Sequence, residues 1–211
     1  RFLKRAWAEI DLDALTHNYN EIKKLAKGKE ILAVVKANAY GHDDKAVCLK
    51  LQELGVKYYG VSNLWEGEKL RQHGITGTVL TFGYTDEDYF DELLEYGITQ
   101  TAGSVQYAKE LSDYAVSKGV KLPVHIKVNT GMTRVGIDSQ QEMLDILAMP
   151  GLDCKAAYTH FAAADSLDPS DVEYTDRQQE KLMKIAKDKG LLIHSQNSGG
   201  IIYHGDFGGD I

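Results

Sequence analysis

Ile31-Leu32-Ala33-Val34-Val35-Lys36-Ala37-Asn38-Ala39-Tyr40-Gly41-His42 opens as an apolar run and passes without a spacer into small and polar residues. A short, nearly all-apolar run reads as a strand buried on both faces. Outward from it the same signal repeats at 57–62, 78–82, 98–102, 122–129, 152–160 and 191–194. Amphipathic stretches lie between the runs. Asp44 to Leu54 carries Ala46, Val47, Leu49, Leu51 and Leu54; Ser104 to Lys118 carries Val105, Ala108, Leu111 and Ala115; Ser170 to Lys189 carries Val172, Leu182, Ile185 and Ala186. Ala14 to Lys27 reads as a helix leading into the first strand, and Trp7 to Leu12 as an extra strand-like segment. Ser104 and Ser139 are N-cap candidates, and Gly119 and Gly190 sit where helices close on glycine.

Strand alternating with helix, with apolar strands, predicts parallel pairing under a cover of helices. No GxGxxG follows the first strand, which disfavours a dinucleotide-binding fold. The expectation is therefore α/β class, a (β/α)8 TIM-type barrel, with one domain over residues 1–211. An eighth strand would begin at Gly208-Gly209-Asp210-Ile211, so the barrel is expected to be incomplete at its C-terminal end. The start, Arg1 to Arg5, is too short and charged for a signal peptide and reads as the edge of a larger protein.

A net charge of −7 argues against nucleic acid as a partner, since phosphate neutralisation supplies most of that affinity. Cys48 and Cys154 belong to no CxxC pair and read as buried free thiols, which fits a reducing cytosol. The expected location is cytoplasmic. No metal-ligand spacing, P-loop or GxSxG is present.

In a barrel, chemistry belongs at the C-terminal ends of the strands. Lys36 emerges from a Val-Val run; near other cations and out of water it becomes a usable amine nucleophile, and alone it is also explained by snorkelling. Lys127 and Asn129 share a strand face, and Lys127 with Arg134 suggests an anionic ligand, or a solvated turn. His160 ends the sixth run, where a lone histidine is often structural. Asn197-Ser198-Gly199-Gly200 follows the seventh, where backbone N–H groups and a hydroxyl can meet a phosphate, or merely turn. Together these supply an amine, two cations, an imidazole and a phosphate cradle in one barrel mouth. That set suits pyridoxal 5'-phosphate.

Ala6-Trp7-Ala8-Glu9-Ile10-Asp11-Leu12, the Lys36-to-His42 run, Thr130-Gly131-Met132-Thr133-Arg134-Val135-Gly136, His160-Phe161-Ala162 and Asn197-Ser198-Gly199-Gly200 resemble, in order, the bacterial alanine racemase family. The resemblance implies a cofactor-dependent isomerase supplying D-alanine for peptidoglycan. It makes Lys36 the Schiff-base lysine and one of two catalytic bases. It places Tyr40 and Ser198 on the cofactor phosphate with Asn197 and Gly199 in the same stretch, His160 beside the pyridine ring, and Arg134 at the substrate carboxylate. Lys127 matches a lysine that the family often carries as a carbamate.

Three positions depart from the family pattern. Asp43 replaces a usual Gly, Asn129 a common Asp, and Gly199 a frequent Ala, the last read as a small change. The family's eighth-strand Arg, and a C-terminal β-domain whose Tyr acts as second base across a homodimer, are not in these residues. The 211 residues alone are therefore expected to racemise little. The expected substrate is a small amino acid, alanine first. A serine racemase, a membrane-fused variant and a non-catalytic cofactor-binding protein are the other readings, and a basic-amino-acid decarboxylase of the same barrel type is disfavoured.

Overall fold

The computed structural model describes residues 6–211. In chain order the elements are α1 (Leu12–Leu25), β1 (Leu32–Val34), α2 (Lys36–Tyr40), α3 (Asp44–Glu53), β2 (Tyr58–Val61), α4 (Leu64–Gln72), β3 (Thr78–Thr81), α5 (Phe90–Glu95), β4 (Thr99–Ala102), α6 (Val105–Ser117), β5 (Leu122–Lys127), α7 (Gln140–Leu147), β6 (Leu152–Tyr158), α8 (Pro169–Ala186), β7 (Leu192–His194) and α9 (Ser198–Tyr203). A short 3₁₀ turn (Glu87–Tyr89) precedes α5. The strands form one parallel sheet in the order β1 to β7, so each connection crosses over through at least one helix.

The sheet is strongly curled. Phe82, just past β3, and Tyr158 on β6 have ring centroids 6.1 Å apart. Three strand spacings of a flat sheet would put them about 14 Å apart. The curl gives the sheet a concave inner face, and the helices pack on its outer face around Tyr59, Val61, Val79, Ile126 and Ala157. The α/β half-barrel agrees with the barrel expectation. Asp210 lies between the edge strands: its N–H donates to Ile193 O at 2.7 Å and its carbonyl accepts from Glu30 N at 3.2 Å. An eighth strand was expected to begin there.

Local chemistry explains most element ends. Ser104 accepts from Tyr107 N, and Ser139 with Glu142 forms a reciprocal capping box at the start of α7. Gly119 ends α6 at φ +69°, as expected. Gly190 does not end α8 directly: that helix stops at Ala186, and Asp188 takes the first left-handed residue at φ +61°. The segment 6–11 forms no strand. Among the described residues no strand pairs with it, and Asp11 caps α1 by accepting from Asp13 N and Ala14 N. The reading of Arg1 to Arg5 lies outside the described residues. Cys48 is buried and Cys154 only half-buried, both free; burial pushes the thiols up to about 12 and about 11. Among the described residues, no helix is long and apolar enough to cross a membrane.

Candidate functional site

The inner face alternates with period two, and this alternation aims the polar residues. Register pairs Lys127 with Tyr158 and Tyr158 with His194, so the three form one inward-facing row across β5, β6 and β7. His125, two residues before Lys127, lies one layer deeper. A cavity of about 1300 Å³ opens above this row, at the C-terminal strand ends. Lys36, Tyr40, Lys127, Arg134, His160, Asn197 and Ser198 all line it.

Lys36 begins a turn of unusual conformation. Ala37, Asn38, Ala39 and Tyr40 have φ of 52°, 57°, 52° and 56°, a left-handed helical turn without glycine until Gly41 at φ +88°. Such residues cost roughly 1–2 kcal/mol each, so surrounding contacts must impose the turn. Ala37 N donates to Glu66 Oε1 at 2.8 Å, and Asn38 Oδ1 accepts from Asp44 N at 3.1 Å. The expected buried Val-Val run is half right: Val35 is buried, but Val34 is 39% exposed, because its inward side chain faces open cavity. Lys36 Nζ lies 6.0 Å from the centre of the Tyr40 ring. Asp43 also takes positive φ, +68°, yet caps α3 by accepting from Ala46 N at 2.9 Å.

Lys127 is 4% exposed, and no carboxylate pairs with it among the described residues. Its Nζ donates to Val128 O at 3.1 Å and to Thr159 Oγ1 at 3.4 Å, and stands 5.3 Å from the Tyr158 ring centre. Burial first, and the Arg134 charge second, push its ammonium down to about 8. Arg134 sits on the exposed loop between Val128 and Ile137, which pair across its base. Gly136 closes that loop at φ +133°, where a side chain would stand 2.5 Å from Asn129 N. Asn129 does not share the cavity with Lys127. Its Oδ1 accepts from Gly131 N and Thr133 N, and its Nδ2 donates to Asp138 Oδ1 at 3.0 Å. An Asp at 129 would face the Asp138 carboxylate, so the amide is the matching group here.

His160 follows β6 and is half-buried. Its imidazolium is disfavoured by burial first, then by the charges of Arg134, Lys127 and Lys36. All four side chains line the same cavity. Across the mouth, Asn197 caps α9 by accepting from Gly200 N at 2.9 Å, leaving Ser198 exposed at the cavity edge. Gly199 does not line the cavity; a side chain there would lie 2.8 Å from Ala164 O, so it lets α9 seat against the loop after β6.

Several residues of this site were not singled out from the sequence. Tyr158 stacks on His194 at 4.7 Å with planes 2° apart, and its hydroxyl lies 2.8 Å from Thr101 Oγ1. Glu66 and Ser62 support the Lys36 turn. The inward row follows from the register of β5, β6 and β7, which the sequence of each strand alone does not give.

Parallel strands, a concave polar mouth and a lysine at the first strand end define a barrel-type α/β domain with its cavity at the C-terminal strand ends. The family model described as "Alanine racemase, N-terminal domain" matches residues 10–210, and the chain belongs to this family. The alanine racemase of Clostridium perfringens (strain SM101 / Type A) is 40% identical over 210 residues, covering 95% of this chain and 54% of the relative. The solved alanine racemase of Clostridium difficile 630 superposes with a TM-score of 0.89 at 32% identity, covering all of this chain and 57% of that one. A histidine racemase from Leuconostoc mesenteroides subsp. sake superposes with a TM-score of 0.85 at 27% identity, over 94% of this chain and 54% of that one. The chain spans about half the length of the curated relatives it matches.

Proposed function

We propose that these residues form the cofactor-binding barrel of a pyridoxal-5'-phosphate-dependent racemase that interconverts L- and D-alanine. The observation that carries this reading is the meeting of Lys36, Lys127, Arg134 and His160 at one cavity. The donor set fits the cofactor: an amine for its aldehyde, exposed hydroxyls at Tyr40 and Ser198 for its phosphate, and about 1300 Å³ of space. Lys36 Nζ would hold the aldehyde carbon. Tyr40 and Ser198 would hold the phosphate, with Asn197 and Gly199 fixing the backbone of that end, and His160 would flank the ring. When bound, the cofactor supplies an electron sink that makes the substrate α-proton removable.

Inverting a stereocentre by proton transfer calls for a base on each face. Lys36 Nζ takes or returns the α-proton on one face. The second base, by the family resemblance, is a Tyr of a C-terminal β-domain acting across a homodimer. Arg134 orients the substrate carboxylate through charge-assisted hydrogen bonds. Burial and the three nearby cations keep the His160 ring neutral at pH 7, so it can flank the cofactor without adding positive charge.

Lys127 belongs to the same reading as a carbamate. Held at about 8, its amine is neutral in a useful fraction near neutral pH. A neutral amine adds carbon dioxide: the N–C bond forms, and one amine proton leaves to solvent. The product is an anion beside Arg134 where a cation stood, so it would hold the guanidinium rather than repel it. A carbamate carbon resonance in bicarbonate-equilibrated enzyme, absent in Lys127→Arg, checks this.

The curated relatives, named alanine racemases, support alanine; a histidine racemase with a similar barrel is why L-histidine is included among the substrates to be compared. Cytoplasmic location is part of the proposal. Full-length enzyme is expected to produce D-alanine from L-alanine faster than it inverts L-serine or L-histidine. Preference for either of the latter would overturn the substrate reading.

A further inference from the structure

We infer that Glu66, outside the cavity, is a positioning residue that imposes the left-handed turn carrying Lys36 and so sets where the Lys36 amine points. The inference rests on the racemase reading above. Glu66 is the third residue of α4 and half-buried, and its own N–H donates to Asn63 Oδ1 at 3.1 Å. Its carboxylate accepts three bonds that do not belong to α4. Oε2 takes Ser62 N at 2.7 Å and Ser62 Oγ at 2.6 Å, and Oε1 takes Ala37 N at 2.8 Å. Ser62 follows β2 directly, just before the α4 cap at Asn63, and Ala37 is the residue after Lys36. One carboxylate thus ties the end of β2 to the first peptide of the left-handed turn.

The contact has the right place to matter. The positive φ values begin at Ala37 and do not include Lys36, so the hand of the backbone changes at the peptide whose N–H donates to Glu66. Without an acceptor on α4, that peptide can rotate, and nothing in Ala37, Ala39 and Tyr40 favours the left-handed region over the right-handed one, while Asn38 alone carries only a weak tendency to it. Lys69, one helical turn further along α4, reinforces the arrangement: it pairs with buried Asp44 at 2.8 Å and approaches Asn38 Oδ1 at 3.5 Å. Gly67 seats the helix closely enough, since a side chain there would stand 2.9 Å from Ile98 Cδ1. Two points on one helix therefore template the turn, and Glu66 holds the one adjoining Lys36.

The test uses full-length enzyme as wild type, Glu66→Gln and, as a reference, Lys36→Ala. The amide introduced by Glu66→Gln offers one oxygen where two acceptor positions are needed, so one of the Ala37 and Ser62 N–H groups meets another donor. The expected result for Glu66→Gln is at least tenfold faster hydrogen exchange across residues 36–41 or at Ser62, weaker retention of pyridoxal phosphate, and kcat for alanine lowered at least tenfold with KM within threefold. A merely structural residue would lower the melting temperature and leave kcat per cofactor-loaded molecule unchanged. If Glu66→Gln does not accumulate folded, Glu66→Asp replaces it, keeping the charge but withdrawing the carboxylate by one methylene. A kcat within twofold of wild type overturns the inference, whatever exchange shows. Failure of the racemase reading is separate: wild type would then turn over no alanine, or Lys36→Ala would keep the activity.

Discussion

His125 Nδ1 lies 3.0 Å from His194 Nε2 inside the curled sheet, so one ring nitrogen donates a hydrogen bond and the other accepts it, and burial disfavours the charged form of both rings. Burial drives His125 down to about 4 and His194 well below its usual value, and burial leads the same shift at His160. In the unfolded chain these histidines take protons near pH 6.5. The unfolded state therefore binds more protons between about pH 6.5 and 4, and stability falls as pH drops through that window. The carboxylates held low, such as Asp91 and Asp206, lose their contribution only below it. Urea unfolding at a series of pH values should show stability declining from about pH 6.5 downward; a flat profile to pH 4.5 would count against a neutral pair.

Gly199→Ala should destabilise this chain, although the family frequently carries Ala there. The new methyl would meet backbone at Ala164 O and Asp165 N, at 2.8 and 2.9 Å, and backbone cannot swing aside as a side-chain end can. Overpacking of this kind costs about 1–3 kcal/mol. Thermal unfolding of Gly199→Ala is expected several degrees below wild type. The expectation that this difference is small thus meets a local packing reason against it.

Asp43 combines a left-handed backbone with a helix cap. Asp43→Ala keeps the strain and loses the cap, at a cost of about 1 kcal/mol. Asp43→Gly loses the cap too, but relieves the strain, so it should lie close to wild type. Chemical denaturation of both variants checks the order; equal losses would mean that the backbone strain is negligible.

Parallel strands buried on both faces leave continuous apolar runs, which is why all seven sheet strands were legible at 57–62, 152–160 and the rest. Trp7 to Leu12 shows where that logic stops: alternation makes a strand only where a neighbour supplies hydrogen bonds, and Asp11 is better used as a cap. The left-handed turn was hidden because Ala37, Ala39 and Tyr40 carry no local signal for it and Asn38 alone only a weak one; Glu66, 29 residues from Ala37, supplies the acceptor. Lys36, Lys127, Arg134, His160 and Ser198 were legible as polar residues at strand ends, and they do meet at one cavity. Tyr158 and His194 were not, since within an apolar run nothing distinguishes an inward residue until register is known.

In the proposed function Lys36 holds the cofactor. Full-length enzyme loaded with pyridoxal phosphate, reduced with borohydride, digested and read by mass spectrometry tests it directly. The reduced cofactor's mass is expected on the peptide containing Lys36, and none in Lys36→Ala. Attachment at Lys127 or any other lysine, or no attachment at all, would contradict it.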